Sequence, residues 1–419
     1  MSNLIDPQKI VSPIPTIDID IIPKIVEAIT TDSQHEAIIT FNEGGQRRIY
    51  AFVCRDHLKV YYWDGIEWHW ADQGAPPNGP LHSAGMSVIT FREGDKQRIY
   101  AFVADYAAGL VANVWDGSKW QWTVLGKPPG IISVWRPSVI TYRQAGKQHI
   151  YAFTEGHDEG NSVHLCVYYW DGSQWRWTDQ GQPPDTTFGS FGCLGPAVTC
   201  YDLESHQQSI YVFVEGANHQ WYANYWDGSQ WHWTKLGIPF AQFVGWVTAV
   251  TYQEASKQHI RVFVRDAQSQ LYVCEYDGDG WHWADVGNPP ASALYMDHGM
   301  STTTYNDGHH QKVYTFVVGT PVVDNLEFPS ARSLAVNYWD GSEWHWDDLG
   351  VVVVPPNEGS THWNILGAVS FHELAQERIY AFVVQSDTLA LSVNYWDGSN
   401  WHWMPLEWSP SHQVEKVPV

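Results

Sequence analysis

The chain has 419 residues, 44% of them hydrophobic and 16% charged, with 25 Trp and 22 Tyr, a composition that excludes a disordered chain. Lys and Arg number 23 against 46 Asp and Glu, and the resulting charge of -23 argues against nucleic acid and anionic membrane as partners, since both need a basic face. No apolar run approaches the ~20 residues of a membrane-spanning helix.

Residues 1–35 form an extension ahead of the first regular pattern. The opening "MSNLIDPQKI" has no basic stretch followed by an apolar core, so no secretory leader is expected. The expected location is the cytoplasm, or outside the cell by a route without a recognisable leader. "IPKIVEAI" is the exception to an otherwise non-helical periodicity, and "PTIDIDII" alternates like a strand that could add an edge or serve as a latch.

From residue 36 onward one unit recurs. W/Y-D-G-x-x-W-x-W begins at Trp63, Trp115, Trp170, Trp226, Tyr276, Trp339 and Trp396, at spacings of 52, 55, 56, 50, 63 and 57 residues. Each unit holds four short runs rich in Val, Ile, Tyr, Phe, Trp and Thr. The second unit shows them as "SVITF", "RIYAFV", "LVANVW" and "WQWTVLG". Runs of this length and composition are strands. The reading is all-β: a seven-bladed β-propeller with four antiparallel strands per blade. The expected blades are 36–74, 86–126, 137–181, 196–237, 247–287, 300–350 and 366–407, each complete in itself, with a tail at 408–419.

The motif reads as structure. Asp-Gly lies between strands three and four, where glycine accepts a turn conformation freely. The two Trp of W-x-W are two apart and share a strand face, where they fill the gap between blades. The residue between them is His69, His232, His282, His345 or His402 in five copies, and Gln121 or Arg176 in the others. These histidines are expected at the surface, on blades too far apart to share an ion. Asn113, Asn224, Asn337 and Asn394, two before the motif, are expected to brace backbone. The cysteines Cys54, Cys166, Cys193, Cys200 and Cys274 are odd in number and irregularly spaced, so neither a disulfide framework nor a metal knuckle is expected. No metal or other cofactor is implied.

Function on a repeat fold sits where the loops vary. The turns between strands one and two are uniform. On the opposite face the blade connections end in bulky residues: His82, Trp135, Phe191, Trp246, His298 and Trp363. The strand two to three loops of that face open with acids: Asp56, Asp105, Glu155, Glu215, Asp266 and Asp387. An aromatic plate beside a carboxylate suits a sugar, whose C–H face stacks while its hydroxyls donate to the acid. The alternative is that the aromatics plug the channel and the acids are solvated. The insert "GTPVVDNLEFPSARS" (319–333) could be a lid or a partner contact.

The stretch "VFVRDAQSQLYVCEYDGDGWHWADVG" (262–287) resembles the repeat of the fucose-binding seven-bladed propeller lectins of insect-associated bacteria. "NYWDGSQW" is similar, more distantly, to the six-bladed fungal fucose lectins. The resemblance runs through every blade, about 36–407, although the closing motif and the G-x-P-P connections depart from that pattern. It implies a lectin with several weak sites between blades, for fucose or another neutral sugar, and hence glycans or glycoconjugates as partners, made useful by multivalency. A homo-oligomer stays open. Two other classes also stay open: an enzyme with one site at the mouth of the central channel, and a protein-interaction scaffold. No nucleophile elbow, HExxH or phosphate loop is present. Repetition of the aromatic–acid pair around the ring would favour the lectin, whereas one deep asymmetric pocket would favour the enzyme.

Overall fold

Seven four-stranded antiparallel sheets are described, each taking its strands in chain order; they are consecutive except in blade 6, where a two-stranded ribbon intervenes. The computed structural model describes residues 36–406, apart from 44–45, 55, 64–67, 78, 80, 82, 94–95, 145–146, 190–193, 203–206, 239–242, 255–256, 291–294, 308–310, 321, 324–325, 328–331, 353–362, 374–375 and 386–390. The 1–35 extension and the 408–419 tail lie outside the described residues. Blade 5 shows the plan: Phe243–Glu254, Lys257–Asp266, Leu271–Tyr276 and Trp281–Gly287, paired in that order. The first strand of each blade lies against that of the next, and the first strand of blade 7, Trp363–Glu373, against that of blade 1, Glu36–Glu43. The sheets thus close into a ring with the first strands innermost. The expected propeller is what the chain forms. Within the insert of blade 6, Val322–Val323 pairs with Leu326–Glu327 as a small ribbon.

There is no single central core. Buried side chains gather in seven clusters, one at each seam between adjacent blades. Each seam is tied at several radii. Near the axis, the hydroxyls of Ser87, Ser138 and Ser301 accept the N–H of Val139, Ala197 and Ala368 in the following blade, at 3.2, 2.8 and 2.9 Å. At the end of the first strands, Gln148, Gln208, Gln258 and Gln311 accept backbone N–H groups of the preceding blade, from Arg92, Arg143, Tyr201 and Gln253. This explains why the residues after the first turn vary so little: they belong to the seam.

Further out, the first Trp of W-x-W stands edge-on against a buried Phe of the preceding blade. Trp120 meets Phe52, Trp175 meets Phe102, Trp231 meets Phe153, Trp281 meets Phe213, Trp344 meets Phe263 and Trp401 meets Phe316, with ring centroids 5.6–6.0 Å apart. This is the favoured geometry for aromatic pairs. The second Trp donates Nε1–H to a backbone carbonyl at the end of the preceding blade. Trp122, Trp233, Trp283, Trp346 and Trp403 bond Gln73, Gln180, Leu236, Val286 and Leu349 in this way. Asn224 and Asn337 are buried and donate to the carbonyls of His232 and His345, so they brace the hairpin from inside.

The Asp-Gly hairpin is a four-residue connection. Trp115 pairs with Trp120, and Asp116 Oδ1 accepts the N–H groups of Ser118 and Lys119. Gly117 sits at φ 97°, which a side chain would strain. The Ser118 hydroxyl, followed by the two amides, holds the Asp116 carboxyl at about 2. The equivalent Asp171, Asp227, Asp277, Asp340 and Asp397 are also lowered by bonds within their own hairpins. A carboxylate depressed in the folded state adds stability above its unfolded value and loses it as pH falls through the folded value. Thermal melts should therefore decline between about pH 4 and pH 2, and Asp116→Asn should flatten that decline. Identical slopes would show that the hairpins do not carry it.

Candidate functional site

Two loop-bearing faces follow from the meander. The hairpins and the first turns share one. The strand two to three loops and the blade connections share the other, where the first strands bulge just before entering the ring. Register slips occur between Ser83 and Met86, Leu194 and Ala197, and Phe243 and Val247, and in blade 3 between the partners Phe153 and Glu155.

On this face an aromatic contact spans the seam between blades 2 and 3. Tyr106, in the strand two to three loop of blade 2, is 43% exposed. Its ring stands edge-on to Trp135 of blade 3, with centroids 5.0 Å apart and planes at 89°. The other neighbour of Trp135 is His157, at 5.2 Å. Trp135 Nε1 donates to Ser133 Oγ, and Lys127 Nζ donates to the carbonyls of Ala107 and Ile132 at 3.3 and 2.7 Å. Lys127 thereby staples the blade 2 loop to the connection that leads to Trp135. Burial pushes the His157 imidazole below its ordinary pKa, so at neutral pH the ring is uncharged.

In the strand pairing Trp135 lies directly across from Glu155. Of the described acids, all but Asp56 are buried. Glu155 is buried and its Oε1 accepts the N–H of Leu194 in the next blade. Asp105 is buried and its Oδ1 accepts the N–H groups of Ala107 and Ala108. Asp266 likewise caps its loop through Gln268 and Gln270. Glu215 is buried, raised by that burial, and bonded to His219. Asp56 is exposed and accepts the N–H of His57. Three of these five acids, Asp105, Glu215 and Asp266, thus order their own loops, and Glu155 ties its blade to the next. Trp246, His298 and Trp363 lie in first strands, but their side chains are outside the described residues, as are His82, Phe191 and Asp387 altogether.

A second polar feature was not singled out from the sequence. In five blades the facing positions of strands two and three carry stacked tyrosines: Tyr50–Tyr62, Tyr151–Tyr169, Tyr211–Tyr225, Tyr314–Tyr338 and Tyr380–Tyr395. Blade 2 has Tyr100 opposite Val114. Blade 5 has Arg261 opposite Glu275. Arg261 Nε donates to Glu275 at 2.9 Å, and the guanidinium lies over the rings of Tyr252, Trp339 and Trp344, 4.3–4.9 Å from their centroids. The Tyr252 hydroxyl donates to Glu275 at 2.8 Å, and His259 Nδ1 is 3.1 Å from the same oxygen. The Nη1 atom of Arg261 is buried without a partner among the described residues, while the Glu275 side chain keeps 24% of its surface. Aligning the seven repeats reveals the exception, because only this blade lacks an aromatic at the first of the two positions.

The motif histidines pack locally. His232, His345 and His402 stack on Tyr225, Tyr338 and Tyr395, and each reaches the hairpin Asp through Nε2 at 2.7–2.8 Å. Asp340, Glu343 and His345 bring ligand atoms within 4.8 Å of one another. Both oxygens of Asp340 are already engaged by its hairpin. Cys54, Cys166, Cys200 and Cys274 are buried and form no disulfide among the described residues, while Cys193 lies outside them.

No family model matches the sequence, and no curated protein matches it. Solved structures do. The BP39L lectin from Burkholderia pseudomallei matches with a TM-score of 0.58 and 16% identity, over 89% of this chain and 98% of its own. AofleA from Arthrobotrys oligospora matches at 0.50 and 15%, over 77% of this chain and 89% of its own. A fungal lectin from Aleuria aurantia, described as a six-bladed β-propeller with a novel fucose recognition mode, matches at 0.47 and 16%, over 77% of this chain and 97% of its own. The resemblance to propeller lectins read from the repeats thus meets lectins among the structural neighbours, and at such identity the likeness is one of fold: this chain is a seven-bladed propeller similar in shape to the Burkholderia pseudomallei lectin.

Proposed function

We propose that this protein is a glycan-binding lectin, with binding clefts at the seams of the variable-loop face. The observation that carries this reading is the blade 2–3 cleft. There an exposed Tyr106 and a half-buried Trp135 meet at a right angle, fixed by loops whose own polar groups are satisfied internally. Two fixed aromatic planes offer a stacking surface for the C–H face of a pyranose, at little ordering cost. Ser133, the Tyr106 hydroxyl and His157 are the polar groups beside it. The similarity to solved lectins supports the reading. Fucose and other neutral sugars are the first class to test. A single cleft of this size gives about millimolar affinity, and the repeats would raise it through multivalency.

On a glycan array, Trp135→Ala and Tyr106→Ala should each cut binding through this cleft about tenfold or more, with the melting temperature within a few degrees of the parent. Unchanged binding by both variants would place the ligand elsewhere. A blank array for the parent protein would sink the lectin reading.

A further inference from the structure

The bulge of blade 3 contains a residue that its own conformation disfavours. Arg136 has φ 51°, in the left-handed region. A long non-glycine side chain there is uncommon and strained. In blades 2 and 6 the corresponding bulge residues, Gly85 and Gly299, are glycines at φ 122° and 50°. Blade 2 also gives way to Arg136. A Cβ on Gly85 would lie 3.0 Å from Arg136 Cα and 3.2 Å from Pro137 Cδ, so the glycine lets the two first strands close up at this point. Strain of this sort is a pointer to function when the side chain has no structural task.

Arg136 has none. Its guanidinium makes no hydrogen bond, ion pair or ring contact among the described residues, although it is part-exposed. It directly follows Trp135 in the chain, at the blade 2–3 cleft. The acids nearby are committed elsewhere: Asp105 to its loop amides, Glu155 to Leu194, and Asp158 to the Ser162 amide and His164. His157 is neutral at pH 7, and Lys127 adds a second cation whose bonds go to carbonyls and leave its charge uncancelled. Arg136 is thus a part-exposed cation next in the chain to Trp135, with Lys127 bound to the loop and connection of the same seam.

We infer that the blade 2–3 cleft prefers an anionic sugar, with Arg136 as the residue that reads its carboxylate or sulfate. The inference rests on the glycan reading above and sharpens it. Guanidinium is suited to both groups, because its planar fork can donate two parallel N–H bonds. Distant carboxylates of the protein are screened beyond about 8 Å at physiological salt, so the local cation decides.

The test compares lactose, 3′-sialyllactose and 3′-sulfated lactose by titration calorimetry on the whole protein, for the parent, Arg136→Gly and Trp135→Ala. Glycine suits φ 51°, so Arg136→Gly should melt no lower than the parent. The parent should bind one or both acidic sugars about ten- to a hundredfold better than lactose. Which of the two is preferred separates carboxylate from sulfate. In Arg136→Gly that ratio should fall toward one. A parent with no acidic preference, or a ratio unchanged in Arg136→Gly, overturns the inference while leaving the lectin reading intact. Equal binding of all three sugars by Trp135→Ala and the parent would instead remove the cleft itself.

Discussion

Trp281→Ala should destabilise the propeller by about 3–5 kcal/mol, the usual result of deleting a large aromatic from a packed interface. Trp281 belongs to blade 5 but packs on blade 4, edge-on to Phe213 at 5.7 Å and to Tyr211 at 6.0 Å, and it also tilts against Tyr276 of its own hairpin at 5.1 Å. Its loss opens a cavity in a seam that cannot collapse, because the neighbouring sheets are held apart by the rest of the ring. The informative control is Trp177→Ala. That Trp also belongs to a W-x-W pair but is 42% exposed, so its removal should cost about 1 kcal/mol or less. Chemical denaturation of both variants measures the difference. Equal effects would mean that the seams are not where the stability lies.

The second large effect concerns the Arg261–Glu275 pair. Arg261→Tyr alone removes one partner of a mostly buried ion pair and leaves Glu275 facing Tyr252 and His259. Breaking such a pair costs about 3 kcal/mol, most of it from the charge left behind. The double substitution Arg261→Tyr with Glu275→Tyr restores the stacked pair that five other blades use, and should recover most of that loss. A double-mutant cycle by denaturation gives the coupling directly. If the double variant is as unstable as the sum of the single ones, the two positions do not act as the interchangeable unit that the other blades suggest.

Much of this was legible in the chain. The W/Y-D-G-x-x-W-x-W spacing marks the blades because each copy does the same local job: Asp116 and its equivalents cap a turn whose glycine needs positive φ, and the Trp pair faces one side of a strand. Local chemistry of this kind repeats whenever the residues repeat. The sequence also placed Trp135 and Glu155 near one another. It did not separate their roles, because an acid at a loop start looks the same whether it faces water or caps backbone amides. In the folded protein Glu155 accepts a bond from Leu194, 39 residues away, and such a partner is set by the docking of the next blade.

The sequence by itself determined the fold class, the positions of the described hairpins and the packing role of most tryptophans, which follow from spacings within a repeat, and the number of blades, which follows from counting the copies. Tertiary structure alone decided which blade's tryptophan meets which phenylalanine, that Asp105, Glu155 and Asp266 serve backbone amides, that Tyr106 reaches Trp135 across a seam, and that Arg136 has a left-handed backbone and no side-chain partner among the described residues. The physical reason is that every one of these contacts joins two blades. Their geometry depends on how the sheets tilt and close around the axis, and that closure is a property of the whole ring which no single repeat encodes.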